Sequence, residues 1–361
     1  MKVVQLVHTL TPGDAISGEA VLIKKLLDGL KISNTIFASA VHRDYLVKGI
    51  AKGLPIDCES DFLFFHYSIG GLLSHFLKAS SKVKVLFFHN LTPLSFFEIY
   101  NSAIVKNLEE GLANLKAAVG ISDVVICDSE FNLKELKELT NSDLSNKRVF
   151  ILRLTAPDTL LQATEAFFSF FPSSFLKSRV KFLTVGRIAP NKNLEKVIEI
   201  FACFKRFVEG SSALAIVGTD VDCEIYRAHL ELAVKFFDVE DSVFFFGSVS
   251  DKTLKLLYKI ASVYLCTSLH EGFCVPLVEA FSFNLPVIAL KNGAIPETLG
   301  EAGICFDTQE IEPILKALYL IVNDEQFKTD ILLKQRERLK DLSKEKFEEN
   351  FLAILSQLGI V

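Results

Sequence analysis

Short runs of consecutive apolar residues recur along the chain, separated by stretches whose apolar positions return every three or four residues. The runs are bounded by Gly, Ser or charged residues and predict buried parallel strands. In the first half they are Lys2–Val7, Phe62–Phe65, Val83–Phe88, Val124–Cys127 and a last one near Val149–Leu154. In the second half they are Phe182–Val185, Leu214–Val217, Val243–Phe246, Val263–Cys266 and Val287–Ala289. The intervening period predicts helices, for example over Gly18–Leu30 and Leu194–Val208. Strand and helix alternating in this way predict an α/β fold of two Rossmann-like, doubly wound parallel-sheet domains.

An irregular stretch, Thr155–Arg179, separates the two series and holds the expected boundary. We divide the chain into residues 1–160, residues 161–343 and a closing helix in 344–361. That helix, Lys344–Leu358, has Phe347, Phe351, Ile354 and Leu358 at three- and four-residue spacing.

Composition narrows the classes. The 361 residues are 50% hydrophobic, enough for a large core. A formal charge of −5 argues against a dedicated nucleic-acid binder. The first 150 residues carry 16 basic and 16 acidic side chains, so neither half shows the basic face of an anionic-membrane anchor. The mean hydropathy is +0.34, but no apolar run approaches the ~20 residues of a spanning helix. Met1–Leu10 lacks the ordered parts of a signal peptide, which predicts a cytoplasmic protein. Seven cysteines without a Cys-x-x-Cys pair read as small buried hydrophobes in a reducing compartment. Histidines in no metal-binding spacing predict no metal.

Two segments could carry chemistry. In the first, the strand Phe182–Val185 runs into Gly186, Arg187 and, before a helix, Lys192. Arg187 can fork onto phosphate oxygens and Lys192 adds a compact charge. Cations at a strand's carboxyl end beside a helix N-terminus suit a diphosphate, although a solvated loop has the same composition. In the second, Ser268–Phe281, Glu271 lies in a loop and Glu279 one turn inside a helix containing Pro276. Gly272 admits a close backbone approach, and N–H groups around Gly272, Phe273, Cys274 and Val275 would face a docked ligand. The two carboxylates are too far apart to share a proton and suit a long polyhydroxylated ligand. The bland reading of Glu279 is a carboxylate interacting with the helix dipole.

Together these segments resemble nucleotide-sugar glycosyltransferases of the GT-B fold, in particular glycosyltransferase family 4. The resemblance covers most of residues 180–306. It rests on Val185-Gly186-Arg187 with Asn191-Lys192-Asn193, on Phe246-Gly247-Ser248-Val249-Ser250, on Glu271–Glu279, on Leu285-Pro286-Val287-Ile288 and on Gly293-Ala294-Ile295-Pro296-Glu297. The first half is similar more loosely, through Gly13-Asp14-Ala15-Ile16, His66-Tyr67-Ser68-Ile69-Gly70, His89-Asn90-Leu91-Thr92-Pro93 and Asp128-Ser129-Glu130-Phe131-Asn132. Two positions depart from many relatives: Cys274 stands where Gly is common, and Gly13 follows Pro12 where several carry a Gly pair.

The resemblance implies two domains facing a cleft, the last helix crossing back to the first domain, and a retaining transfer from a nucleoside-diphosphate sugar to an acceptor hydroxyl. Arg187 and Lys192 would bind the diphosphate, Glu279 the ribose and Glu271 the sugar, helped by Gly186, Gly272, Phe273, Cys274 and Val275. Gly247 and Val249 would flank the base, with Gly13 and Asp14 opposite the diphosphate. His89 would sit beside the reacting sugar, making His89, Glu271, Arg187 and Lys192 the catalytic set. His66, Asn90 and Ser129 would lie on the acceptor side, where His66 either faces the ligand or is a satisfied strand-end histidine. No cofactor or metal is expected. GDP-mannose or a UDP-hexose is the implied donor and a saccharide or lipid-linked saccharide the acceptor, in bacterial surface polysaccharide or glycoconjugate synthesis. A weak peripheral contact at the inner membrane face would accompany a lipid-linked acceptor. The competing class is a non-catalytic GT-B partner subunit that binds the nucleotide sugar.

Overall fold

The computed structural model describes residues 1–53, 59–162, 171–307 and 310–361. They form two compact units. The first comprises Met1–Ser95, Ser102–Leu154 and Lys344–Val361. The second comprises Thr155–Ser343 with a short piece, Phe96–Asn101.

The first unit is built on seven strands: β1 (Lys2–Leu10), β2 (Ser33–Val41), β3 (Ile50–Lys52), β4 (Glu59–Tyr67), β5 (Ser80–Phe88), β6 (Val124–Cys127) and β7 (Arg148–Ile151). All pair in parallel in the order β3-β2-β1-β4-β5-β6-β7. The order reverses between β1 and β4, and the carboxyl ends of strands flanking such a reversal are where open α/β sheets bind ligands. Strands β2 and β3 extend the sheet beyond the runs predicted from hydrophobicity. Ser33–Val41 buries only alternate residues and Ile50–Lys52 none, so neither forms a continuous apolar run.

The second unit repeats the plan with six strands: β8 (Val180–Val185), β9 (Ser212–Val217), β10 (Val243–Gly247), β11 (Val263–Cys266), β12 (Val287–Leu290) and β13 (Ile304–Phe306). Their order is β10-β9-β8-β11-β12-β13, again parallel, with the reversal between β8 and β11. The chain thus has the GT-B architecture of two doubly wound α/β units.

The closing helix, Lys344–Gln357, belongs to the first unit. Its Phe347, Phe351, Ile354 and Leu355 are buried in one cluster with Val3, Ile23, Phe64, Val85 and Ile126. The helix therefore covers a face of the first sheet, and its apolar period explains why. The first unit's continuous stretch ends at Leu154, six residues before the expected boundary at residue 160. Residues 163–170 of the boundary stretch lie outside the described ones, as does Cys58. The assignment of Phe96–Asn101 to the second unit has an aromatic cause. Tyr100 meets Tyr226 edge-on and hydrogen-bonds His229 at 3.0 Å, while the Asn101 side chain donates to the Asp222 carbonyl at 2.8 Å. No described helix is long and apolar enough to cross a membrane.

Candidate active site

In the second unit the carboxyl ends of β8, β9 and β10 finish on Gly186, Gly218 and Gly247, all with positive φ. The Gly186 and Gly218 amides donate across the strand ends, to the Val217 and Gly247 carbonyls at 2.9 Å each. A Cβ on Gly218 would stand 1.8 Å from the Gly186 oxygen, so only glycine fits there. This packing leaves a small hollow above the sheet edge. Gly186, Arg187, Lys192, Ser268, Glu271 and Cys274 are among its lining.

Two loops hold the polar residues in register. The turn Pro190–Lys192 and Asn193 bind the loop 267–271 at several points. Thr267 Oγ1 donates to the Asn193 carbonyl at 2.7 Å, the Leu269 amide to the Asn191 carbonyl at 2.8 Å, and the Asn191 side chain to the His270 carbonyl at 3.2 Å. Lys192 Nζ then meets Glu271 Oε1 at 2.5 Å, with the two side chains 20% and 11% exposed. Burial alone would pull the Lys192 ammonium down, but the Glu271 carboxylate more than offsets it and holds the group above its usual range. Gly293 braces Glu271 from behind. A Cβ there would lie 2.6 Å from the Glu271 carbonyl oxygen, and the Ala294 amide donates to that oxygen at 2.9 Å. Arg187 is exposed and donates to the Val221 carbonyl at 3.1 Å.

The helix Val275–Ser282 starts after Cys274, which has φ 74° and provides no side-chain cap. Its first turn therefore presents the positive end of its dipole without a side-chain cap. The Cys274 thiol lies 3.9 Å from that of Cys266, and both are free. Glu279, one turn along, is buried and accepts a hydrogen bond from Tyr258 at 2.6 Å. Burial raises its carboxyl to about 7, against the pull of that bond. Glu279 does not line the hollow. At the far strand end, Ser250 caps the helix Asp251–Ile260 just after Gly247 and Val249.

The first unit gathers a second polar group at the carboxyl ends of β4, β5 and β6. His66 Nδ1 and His89 Nε2 are 2.8 Å apart, with the rings stacked. His89 Nδ1 lies 3.1 Å from both oxygens of Asp128, and His66 Nε2 is 3.0 Å from Gln5 Oε1. Glu19, from the helix Ala15–Gly29, brings Oε2 to 3.4 Å from His89 Nε2. The His89 and Glu19 side chains are each 1% exposed. Burial opposes the charge on His89, but Asp128 and then Glu19 overcome it and raise the imidazole to about 9. Burial raises the Glu19 carboxyl to about 8, and burial with His89 beside it holds His66 well below its usual value. Nearby, Asp14 caps the helix Ala15–Gly29 by accepting from the Ser17 amide at 2.9 Å. Ser129 caps Glu130–Thr140 through the Asn132 amide, and the Asn90 side chain donates to Asn132 at 3.0 Å.

The structure thus brings Gly186, Arg187, Lys192, Glu271 and Cys274 to one hollow, and His66 and His89 to one buried network. His66 is buried, with its ring nitrogens facing His89 and Gln5. Sequence reasoning did not single out Gly218, Gln5, Glu19 or Asp128 for a role. Glu19 carried a signal: it lies four and eight residues before Ile23 and Leu27, on the buried stripe of its helix.

Two doubly wound units with a cationic hollow at the strand ends of the second define a GT-B glycosyltransferase architecture. Residues 168–346, a little under half of the chain, match the family described as glycosyl transferases group 1, so this stretch is a glycosyltransferase domain of that family. A relative, the serotype-specific mannosyltransferase WbdA of Escherichia coli, is 23% identical over 248 residues. That alignment covers 66% of this chain and 29% of WbdA, so the chain spans under a third of that relative. Among solved structures, sucrose-phosphate synthase from Thermosynechococcus elongatus superposes with TM-score 0.76 at 16% identity, covering 99% of this chain and 98% of its own. Anabaena HepE in complex with UDP and glucose superposes with TM-score 0.73 at 16% identity, over 99% and 100%. At such identities these likenesses carry the fold alone.

Proposed function

We propose that the protein transfers a hexose from a nucleoside-diphosphate sugar, of the GDP-mannose or UDP-hexose kind, to a saccharide or lipid-linked saccharide hydroxyl with retention of anomeric configuration. The observation that carries this reading is the hollow at the β8 and β9 ends, where Arg187 and the Lys192–Glu271 pair surround Gly186. A diphosphate laid over Gly186 would take the Arg187 fork and the Lys192 ammonium, with the first turn of the helix Val275–Ser282 beside it. Lys192 would then turn from Glu271 to the phosphate. That frees the Glu271 carboxylate to accept hydrogen bonds from the sugar hydroxyls. Departure of the diphosphate breaks the anomeric C–O bond, and the cations stabilise the charge that develops. On the same face the acceptor oxygen bonds to the anomeric carbon and its proton passes to the leaving phosphate. These cations take the role a metal would otherwise fill, so the reaction is proposed to need neither metal nor cofactor. Glu279, one helical turn on, would serve the ribose.

WbdA being a serotype-specific mannosyltransferase supports a mannosyl donor and a surface polysaccharide product. HepE holding UDP and glucose supports a UDP-hexose as the other choice. A lipid-linked acceptor would put the protein at the inner membrane face through a weak peripheral contact. The test is a panel of GDP- and UDP-sugars with saccharide and lipid-linked saccharide acceptors, with the anomeric configuration of the product read by NMR. Turnover with retention is expected. Inversion contradicts the mechanism, and thermal stabilisation by a nucleotide sugar without turnover on any acceptor points to a non-catalytic binding subunit.

A further inference from the structure

The buried network in the first unit contains a conflict that its hydrogen bonds alone do not resolve. The Gln5 amide is oriented by Nε2, which donates to the Ala20 carbonyl at 3.1 Å, so Oε1 faces His66 Nε2. An amide oxygen only accepts, so His66 Nε2 carries a hydrogen. At the other end, the Asp128 carboxylate faces His89 Nδ1, so that nitrogen carries a hydrogen too. If both rings were neutral, His66 Nδ1 and His89 Nε2 would each present a lone pair to the other across 2.8 Å. Glu19 faces the same point. Its Oε2 lies 3.4 Å from His89 Nε2 and 3.8 Å from His66 Nδ1, and neither of its oxygens has a hydrogen-bond partner. Two ring lone pairs cannot rest against each other at that distance, so a cation lies between the two nitrogens.

The spacing identifies that cation. Glu19, His66 and His89 are a set with metal-ligand geometry in outline, all three ligand atoms lying within 4.8 Å of one another. A tetrahedral zinc ion with bonds near 2.0–2.1 Å keeps its ligand nitrogens about 3.3 Å apart. The imidazoles stand at the shorter distance of an N–H···N hydrogen bond. We propose that the cation is a proton, that His89 is a doubly protonated imidazolium in the working protein, and that Glu19 and His66 are positioning residues that keep it so. His89 Nε2–H donates to His66 Nδ1, His66 Nε2–H to Gln5, and His89 Nδ1–H to Asp128. The titratable groups facing His89 are Glu19 on the helix Ala15–Gly29, Asp14 at its N-cap, His66 at the end of β4 and Asp128 after β6.

The consequence reaches the chemistry. An imidazolium tied at both nitrogens has no lone pair with which to take a proton from an acceptor hydroxyl, so His89 is not a general base. It is a fixed positive charge beside the sheet's reversal point, where it stabilises negative charge. That role rests on the transfer reaction proposed above, whereas the protonation state does not.

The experiment is nitrogen NMR of the full chain labelled with ¹⁵N-histidine, titrated from pH 6 to 10, on wild type, Glu19→Gln and Asp128→Asn. One imidazole with both nitrogens protonated at pH 7 is expected in the wild type, beside a neutral His66. Each variant should lose that proton at lower pH, with about tenfold weaker proton affinity. The alkaline limb of kcat should move with it while the donor KM stays within about twofold. Asp128→Asn keeps the test intact should Glu19→Gln not fold. Two neutral imidazoles at pH 7, an unmoved midpoint in both variants, or one zinc ion per chain taken up in equilibrium dialysis would each overturn the inference. A charged His89 in a chain without transferase activity would uphold it and defeat the transfer reading alone.

Discussion

The two units place charged groups at equivalent edges of equivalent sheets and treat them in opposite ways. In the second unit Lys192 and Glu271 form a partly exposed pair on the wall of a hollow, with Arg187 exposed beside them. Each has a partner now and can exchange it for a ligand without leaving a buried charge unpaired. In the first unit His89, Asp128, Glu19 and His66 are sealed, and their partners are each other. Removing one leaves the others buried and uncompensated, which typically costs about 3–5 kcal/mol. The first arrangement is built to bind, and the second is built to keep its own charge state.

The comparison breaks most readily at the hollow. Replacing both Arg187 and Lys192 by Ala removes two charge-assisted contacts, each worth about 1.5–3 kcal/mol. Initial rates should fall at least a hundredfold while the melting temperature moves little. A double variant that keeps its turnover would separate the hollow from the chemistry.

Stability is where the first unit should respond. Phe351 is fully buried between the closing helix and the sheet, so Phe351→Ala should cost about 3–5 kcal/mol by denaturant titration. A cost under 1 kcal/mol would mean that the closing helix is not part of that core.

A pH effect distinguishes Glu279 from its exposed neighbours. Its carboxyl is raised to about 7 in the folded chain against an ordinary value of 4.5. The folded state therefore holds the extra proton. The stability this gives is complete below pH 4.5 and is lost as pH rises through about 7. The loss amounts to about 3 kcal/mol. Glu279→Gln should flatten the melting temperature between pH 5 and 8. A variant whose melting temperature keeps the wild-type slope there would put the titration elsewhere.

The smallest expected change is in Glu271→Gln. It should leave nucleoside diphosphate affinity within about twofold and lower turnover, because its proposed contacts reach only the sugar. Glu279→Gln should weaken nucleoside diphosphate and donor alike. Equal losses of nucleoside diphosphate affinity in the two variants would end that division of labour.

Much of the second unit was legible because its chemistry is local. A buried strand ending in Gly186-Arg187, and a loop glutamate eight positions before a helical one, are patterns of neighbours in sequence. The alternation of apolar runs gave the doubly wound class for the same reason. What escaped was non-local. Gly218 matters because the Gly186 oxygen occupies the place of its side chain, a contact across 32 positions. Gln5, Glu19, His66, His89 and Asp128 meet only after four strands have aligned. Phe96–Asn101 joins the second unit through contacts of Tyr100 and Asn101 to residues more than a hundred positions away. The strands β2, β3 and β13 were missed because half-buried alternation and three-residue edge strands lack the continuous apolar signal of the central ones.

The central claim is that the hollow above Gly186 holds a nucleoside diphosphate through Arg187 and Lys192. Calorimetric titration of GDP and of UDP into wild type and the Arg187→Ala, Lys192→Ala double variant tests it directly. The account predicts saturable one-to-one binding of at least one of the two nucleotides, weakened more than tenfold in the double variant. Binding of equal strength in both proteins would contradict it.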